Sequence, residues 1–159
     1  MKKVLLCLLL MLVLCGCAKA PEEKENPAEE VVLEKQEEVV EEKTMKMRIN
    51  TTEVEVEWEE NESVEALKAL CADGEYTIAM SMYGGFEQVG EIGAELPRHD
   101  TNTTTECGDI VLYNGDSLVV FYGSNSWSYT RLGKITDQTE LELIELLSRG
   151  DVTITLYQE

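Results

Sequence analysis

Basic residues are scarce: 13 lysines and arginines stand against 32 aspartates and glutamates, a formal charge of −19 over 159 residues. A surface so acidic repels phosphate backbones, which argues against nucleic acid as a partner. Histidine is nearly absent. His99 is the single copy, in the loop-like run Pro97-Arg98-His99-Asp100, with no second imidazole and no spaced cysteine pair, so no metal site is expected. Asp100, Asp109 and Asp116 lack the spacing of a calcium loop. Ser124, Ser126 and Ser128 lack a Gly-x-Ser-x-Gly setting and a credible base, which argues against a hydrolase. Gly84, Gly85, Gly90 and Gly93 do not form a Gly-x-Gly-x-x-Gly run opening a helix. They read as turns, or as places where backbone approaches a ligand, rather than a phosphate cradle, and no cofactor is expected.

Long apolar runs are missing too. The longest, from Val4 to Leu14, is eleven residues, too short for a helix to cross a bilayer core, which takes about 20. Preceded by Lys2 and Lys3 and followed by small residues, it has the layout of a secretory signal over residues 1–16. Its end, Leu14-Cys15-Gly16-Cys17, looks like the lipobox of bacterial lipoproteins, in which the last cysteine receives a diacylglycerol. That resemblance implies lipidation at Cys17 and an extracytoplasmic domain held to the cell membrane through its lipid. Two acyl chains anchor a protein stably where one does so only marginally. The other reading is ordinary secretion with cleavage after Ala18 or Ala20.

Loss of Lys2 and Lys3 would leave 11 basic residues against 32 acidic, a formal charge of −21. Such a protein suits a neutral, cationic or peptidic partner. Of the five cysteines, Cys71 and Cys107 remain beyond the signal and its lipidation site. An oxidising address permits a bridge between them, and the alternative is two small buried apolar side chains.

Residues 18–44 carry ten acidic and four basic side chains and no aromatic. They cannot bury enough apolar surface to offset ordering entropy and read as a flexible acidic tether, with at most a transient helix between Val31 and Val40. One domain is expected over 45–159, long enough for a single core.

Within it, 47–50 and 53–58 alternate apolar and polar around Thr51-Thr52, a hairpin pattern. Val64, Leu67 and Leu70 recur at helical spacing after the candidate N-cap Asn61, with Gly74 beyond. Residues 76–83 alternate as a strand. Asn114-Gly115 predicts a tight turn between strands 109–113 and 118–122, expected to be the most buried. Residues 129–135 form a further strand. Asp137 with Glu140 gives a capping-box start to a helix through Leu141, Ile144 and Leu147, ended by Gly150. Residues 151–157 are the last strand. Many short strands with two helices predict a sandwich or a closed barrel.

Met82-Tyr83-Gly84-Gly85-Phe86-Glu87-Gln88-Val89-Gly90, Leu96-Pro97, residues 108–113 and the run 121–133, with Gly123-Ser124-Asn125-Ser126-Trp127, resemble the small bacterial cyclophilin-like domain family. The resemblance spans essentially all of 45–159. It implies a mainly β fold: a closed antiparallel barrel of about eight strands with two short capping helices. True cyclophilins isomerise X-Pro bonds with an arginine beside a Phe/Trp/Gln pocket, lowering the barrier to the slow rotation about the prolyl amide. Here Gly85-Phe86-Glu87-Gln88 is one residue short between Phe and Gln, and Ser81 falls where the arginine would stand.

Two functions are therefore carried forward. One is a lipoprotein domain that binds a peptide or small ligand. The other is a prolyl isomerase assisting secreted proteins to fold, with Arg98 or Arg131 supplying the cation. The candidate cleft residues are Tyr83, Phe86, Glu87 and Gln88, facing Asn125, Trp127, Tyr129 and Arg131. For Trp127 and Tyr129 the alternative is packing at a barrel mouth.

Overall fold

The computed structural model describes residues 43–159. The signal segment, Cys17, the acidic tether and the transient helix lie outside the described residues. Ten strands and two helices follow in order: β1 (Met45–Ile49), β2 (Thr52–Val54), β3 (Val56–Trp58), α1 (Glu62–Leu70), β4 (Tyr76–Tyr83), β5 (Glu87–Glu91), β6 (Thr101–Thr104), β7 (Asp109–Tyr113), β8 (Ser117–Phe121), β9 (Ser126–Ile135), α2 (Glu140–Leu147) and β10 (Val152–Gln158).

Nine strands form one antiparallel path, β2-β1-β10-β4-β5-β8-β7-β9-β3, with β6 added to the outer half of β9. The two ends of the path are neighbours in the chain. Only Glu55 separates β2, which pairs with β1, from β3, which pairs with β9. The sheet therefore curls into a nearly closed barrel, the expected architecture, with β2 and β3 as two halves of one kinked strand. At the kink the Glu55 N–H donates to the Asp137 carboxylate at 3.0 Å, and the Glu55 carbonyl accepts from the Thr136 N–H at 2.9 Å. A backbone donor and acceptor that leave the ladder are thus both satisfied.

The barrel is filled from inward-facing alternate residues: Met47 and Ile49 of β1, Ile78 and Met80 of β4, Leu118 and Val120 of β8, Ile154 and Leu156 of β10. Val64 and Leu67 of α1 and Leu143 and Leu147 of α2 belong to the same core. The helices plug opposite ends, α1 where β10 finishes, through Gln158 to the Lys68 carbonyl, and α2 where β5 begins, through Gln88 to the Leu147 carbonyl. Asn61 caps α1 as expected, accepting from the Val64 N–H at 3.0 Å. The strands β7 and β8 are the most buried pair, joined through Asn114 and Gly115 at positive φ of 54° and 88°.

Three expectations change. The capping box of α2 is Thr139 with Glu142, because Asp137 is engaged at the Glu55 kink. The helix buries Leu143 and Leu147 while Leu141 is 78 % exposed. And β9 starts at Ser126, three residues early, because the polar strand β6 pairs with its first four residues. Cys71 and Cys107 are free thiols.

Candidate ligand-binding cleft

Pleating gives β5 two different faces. Gln88 points into the barrel, fully buried, with its amide nitrogen donating to the carbonyls of Leu147 and Gly150 at 2.6 and 2.8 Å. Glu87 and Val89 point outward, paired with Phe121 and Val119 of β8. On this outer wall Val111, Val119, Phe121 and Tyr129 form a second small apolar cluster, with Phe86, Val89 and Tyr113 packed on it. An outer face that buries apolar side chains without a covering element leaves a depression.

That depression is a cleft of about 360 Å³, lined by Tyr83, Glu87, Val89, Tyr113, Val119, Asn125, Trp127 and Tyr129. Four of the ten aromatic residues gather here. Tyr129 is buried, meets Tyr113 edge-on at 6.1 Å and Phe121 at 5.7 Å, and accepts from the Asn125 amide at 2.9 Å. Asn125 is itself fixed, its backbone N–H donating to Thr105 Oγ1 and its carbonyl accepting from the Thr105 N–H. Tyr83 and Trp127 form the rim, 67 % and 59 % exposed.

Glu87 lies at the bottom. It is 6 % exposed, and its Oε2 is buried with no hydrogen-bond partner. Burial pushes its carboxyl up to about 7, because desolvation disfavours the charged form and no cation or donor compensates. The neighbouring phenols feel the same site: burial, then the Glu87 charge, raises the pKa of Tyr129 and of Tyr122.

The hairpin between β4 and β5 sets this geometry. Gly84 and Gly85 take φ of 63° and 77°, and the Phe86 N–H closes the turn on the Tyr83 carbonyl. Phe86 then folds back under the turn to stack on Phe121, with ring centroids 6.4 Å apart and planes within 3°. A side chain at Gly84 would strike that ring, and a Cβ at Gly123 would come within 2.7 Å of Phe86 Cβ. Gly84 and Gly85 are turn positions, as expected, and Gly123 is a point of close approach to Phe86.

Of the eight candidates from the sequence, the cleft gathers Tyr83, Glu87, Asn125, Trp127 and Tyr129. Phe86 packs on the outer apolar cluster without lining the cleft, Gln88 lies inside the barrel and Arg131 elsewhere on β9. Arg131 makes a two-pronged pair with Asp109, at 3.1 and 3.3 Å, and a further contact with Glu59 at 3.4 Å. Arg98 pairs with Asp100 at 3.8 Å. Ser81 Oγ reaches Asp151 at 3.3 Å. Val89, Tyr113 and Val119 went unnamed; the pairing of β5, β8 and β7 brings them onto the outer face with Glu87.

A closed, helix-plugged barrel with an aromatic cleft on its outer wall defines a cyclophilin-like domain. The sequence model described as the Cyclophilin-like family matches residues 47–157, and the chain belongs to that family. No curated protein and no solved structure matches the chain.

Proposed function

We propose that the protein is a membrane-anchored extracytoplasmic lipoprotein, tethered through lipid on Cys17, whose cyclophilin-like domain binds a peptide or small ligand in the outer-wall cleft. The observation that carries the binding reading is the buried, unpartnered Glu87 carboxyl under four aromatic side chains. A pocket of a few hundred cubic ångströms, mostly apolar with a few fixed polar groups, is the usual form of a ligand site. An orphan polar atom costs about 1–3 kcal/mol, and a ligand that supplies a donor removes that cost.

Ranking binding above prolyl isomerisation rests on the lining. Among the described residues no lysine or arginine lines the cleft, Arg98 and Arg131 are committed to carboxylates, and the charge centre present is acidic. The membrane reading rests on the lipobox-like tetrapeptide and the apolar run before it. Cys17→Ser is expected to release the protein from the membrane fraction and abolish incorporation of labelled palmitate.

The test of the cleft uses the full chain in detergent with Trp58→Phe, so that Trp127 is the sole indole. Titration with short peptides and small molecules is expected to change Trp127 fluorescence, while a protease-coupled assay shows no acceleration of prolyl isomerisation. Acceleration abolished by Phe86→Ala and Arg131→Ala would establish the isomerase instead. Silence in both assays overturns the cleft as a functional site.

A further inference from the structure

The cleft's chemistry narrows its ligand, an inference that rests on the cleft being a binding site. Its one charged lining group is Glu87, buried, with an oxygen that has no donor. A neutral hydrogen-bond donor would satisfy the oxygen but leave the negative charge uncompensated. A quaternary ammonium would compensate the charge but has no N–H to give. A protonated amine does both, and the aromatic surroundings add to it, since π faces attract a cation by their quadrupole.

The rest of the molecule favours the same sign. From Met45 onward 22 acidic residues face seven basic ones, and six of those seven, Lys46, Arg48, Arg98, Arg131, Lys134 and Arg149, are already paired with carboxylates. The remaining field is negative and concentrates cations at a low-dielectric cleft.

We propose that the cleft takes a primary ammonium group on a short apolar body, seated among Tyr83, Tyr113, Trp127 and Tyr129 and donating N–H to the Glu87 carboxylate. A free amine and the lysine side chain of a peptide share this chemistry. The groups facing Glu87 are Tyr83 from β4, Tyr113 from β7, Tyr122 just past β8 and Tyr129 from β9. Burial and the Glu87 charge raise the pKa of Tyr122 and Tyr129, and binding is proposed to follow the ionisation of Glu87. The carboxylate fraction of a group titrating near 7 rises about thirty-fold from about pH 5.5 to about pH 8, and affinity rises with it.

The experiment titrates the full chain in detergent, Trp58→Phe, with 2-phenylethylamine, Nα-acetyl-lysine amide and the neutral isostere 2-phenylethanol, reading Trp127 fluorescence. The expected result is that at least one amine binds at least tenfold tighter than the alcohol. Its affinity climbs about thirty-fold over that pH range, and Glu87→Gln abolishes both differences. Whichever amine binds tighter assigns the source, free amine or peptide side chain. Equal binding of the alcohol, or binding that weakens as pH rises, overturns the ammonium inference while leaving the cleft a binding site. No response to any of the three at millimolar concentration overturns both. Since the alcohol comparison is made on the protein with Glu87 intact, the test does not depend on the folding of Glu87→Gln.

Discussion

Glu87 is a carboxyl kept where ionisation is costly, and the sign of its effect on stability follows. Its folded-state pKa, about 7, lies above the value near 4.3 of an unfolded chain. The folded state thus holds the proton more tightly between these values, and stability falls as pH rises through this window. Allowing for solvent screening at an open cleft, the loss is on the order of 2 kcal/mol. Glu87→Gln, a neutral isostere, is expected to match the parent near pH 5 and to be more stable by that order near pH 8, read by urea unfolding. A group that weakens its own fold at neutral pH fits a binding role better than a packing role. Gly84 makes an opposite case, where the smallest side chain is obligatory twice, for its φ of 63° and for the Phe86 ring against it. Gly84→Ala is expected to cost about 1–3 kcal/mol and to lower Tyr83–Trp127 cleft affinity, since Phe86 supports the wall. The thiols should differ in reach. Cys71 is 1 % exposed and Cys107 only half-buried, and burial raises both pKa values, so maleimide should label Cys107 first and slowly.

At the scale of elements, the outer wall of β7 and β9 is held by ionic side chains rather than by a covering layer. Asp109, almost wholly buried, accepts from Arg131 and from the Glu106 N–H at 2.9 Å and forms an ion pair with Lys134 at 3.6 Å. Arg131→Ala removes the two-pronged partner of a buried carboxylate and is expected to cost about 1–3 kcal/mol in urea unfolding while leaving cleft affinity unchanged. Strands whose two faces contrast, 76–83 and 151–157, were legible from alternation, and 109–113 and 118–122 from their continuous apolar runs around the Asn114-Gly115 turn. The strand β5 was not, because Glu87-Gln88-Val89-Gly90-Glu91 puts polar residues on both faces, one reaching inward to α2 and one outward to the cleft. Nor was β6, whose Thr101-Asn102-Thr103-Thr104 has no apolar face. The start of α2 was misplaced since two capping signatures overlap, Asp137 with Glu140 and Thr139 with Glu142. Only the long-range demand of the Glu55 N–H, 82 residues away in the chain, selects between them. The same limit applies to the site. Sequence neighbours such as Phe86 and Gln88 part to opposite sides of a wall, and Tyr113 joins Glu87 only through the barrel's register.

From Met45 onward the chain folds as an acidic barrel in which six of the seven basic residues pair with carboxylates. Added salt should therefore slow capture of an amine ligand, with association rates falling as ionic strength rises. The kink at Glu55 closes the barrel onto itself, which leaves no long exposed strand edge between β2 and β3 and makes the outer wall a fixed platform for the cleft. Ligand capture turns on a single group in that platform, and its titration can be read directly. Carbon-13 NMR of the full chain labelled at glutamate side-chain carboxyls, with Glu87→Gln assigning the resonance, gives the titration of Glu87 in the ligand-free protein. A midpoint near 7 is the predicted result, shifting downward when an amine is bound. A midpoint near 4.3, the ordinary value for glutamate, would mean that Glu87 is solvated or already partnered, and would contradict the cleft as described.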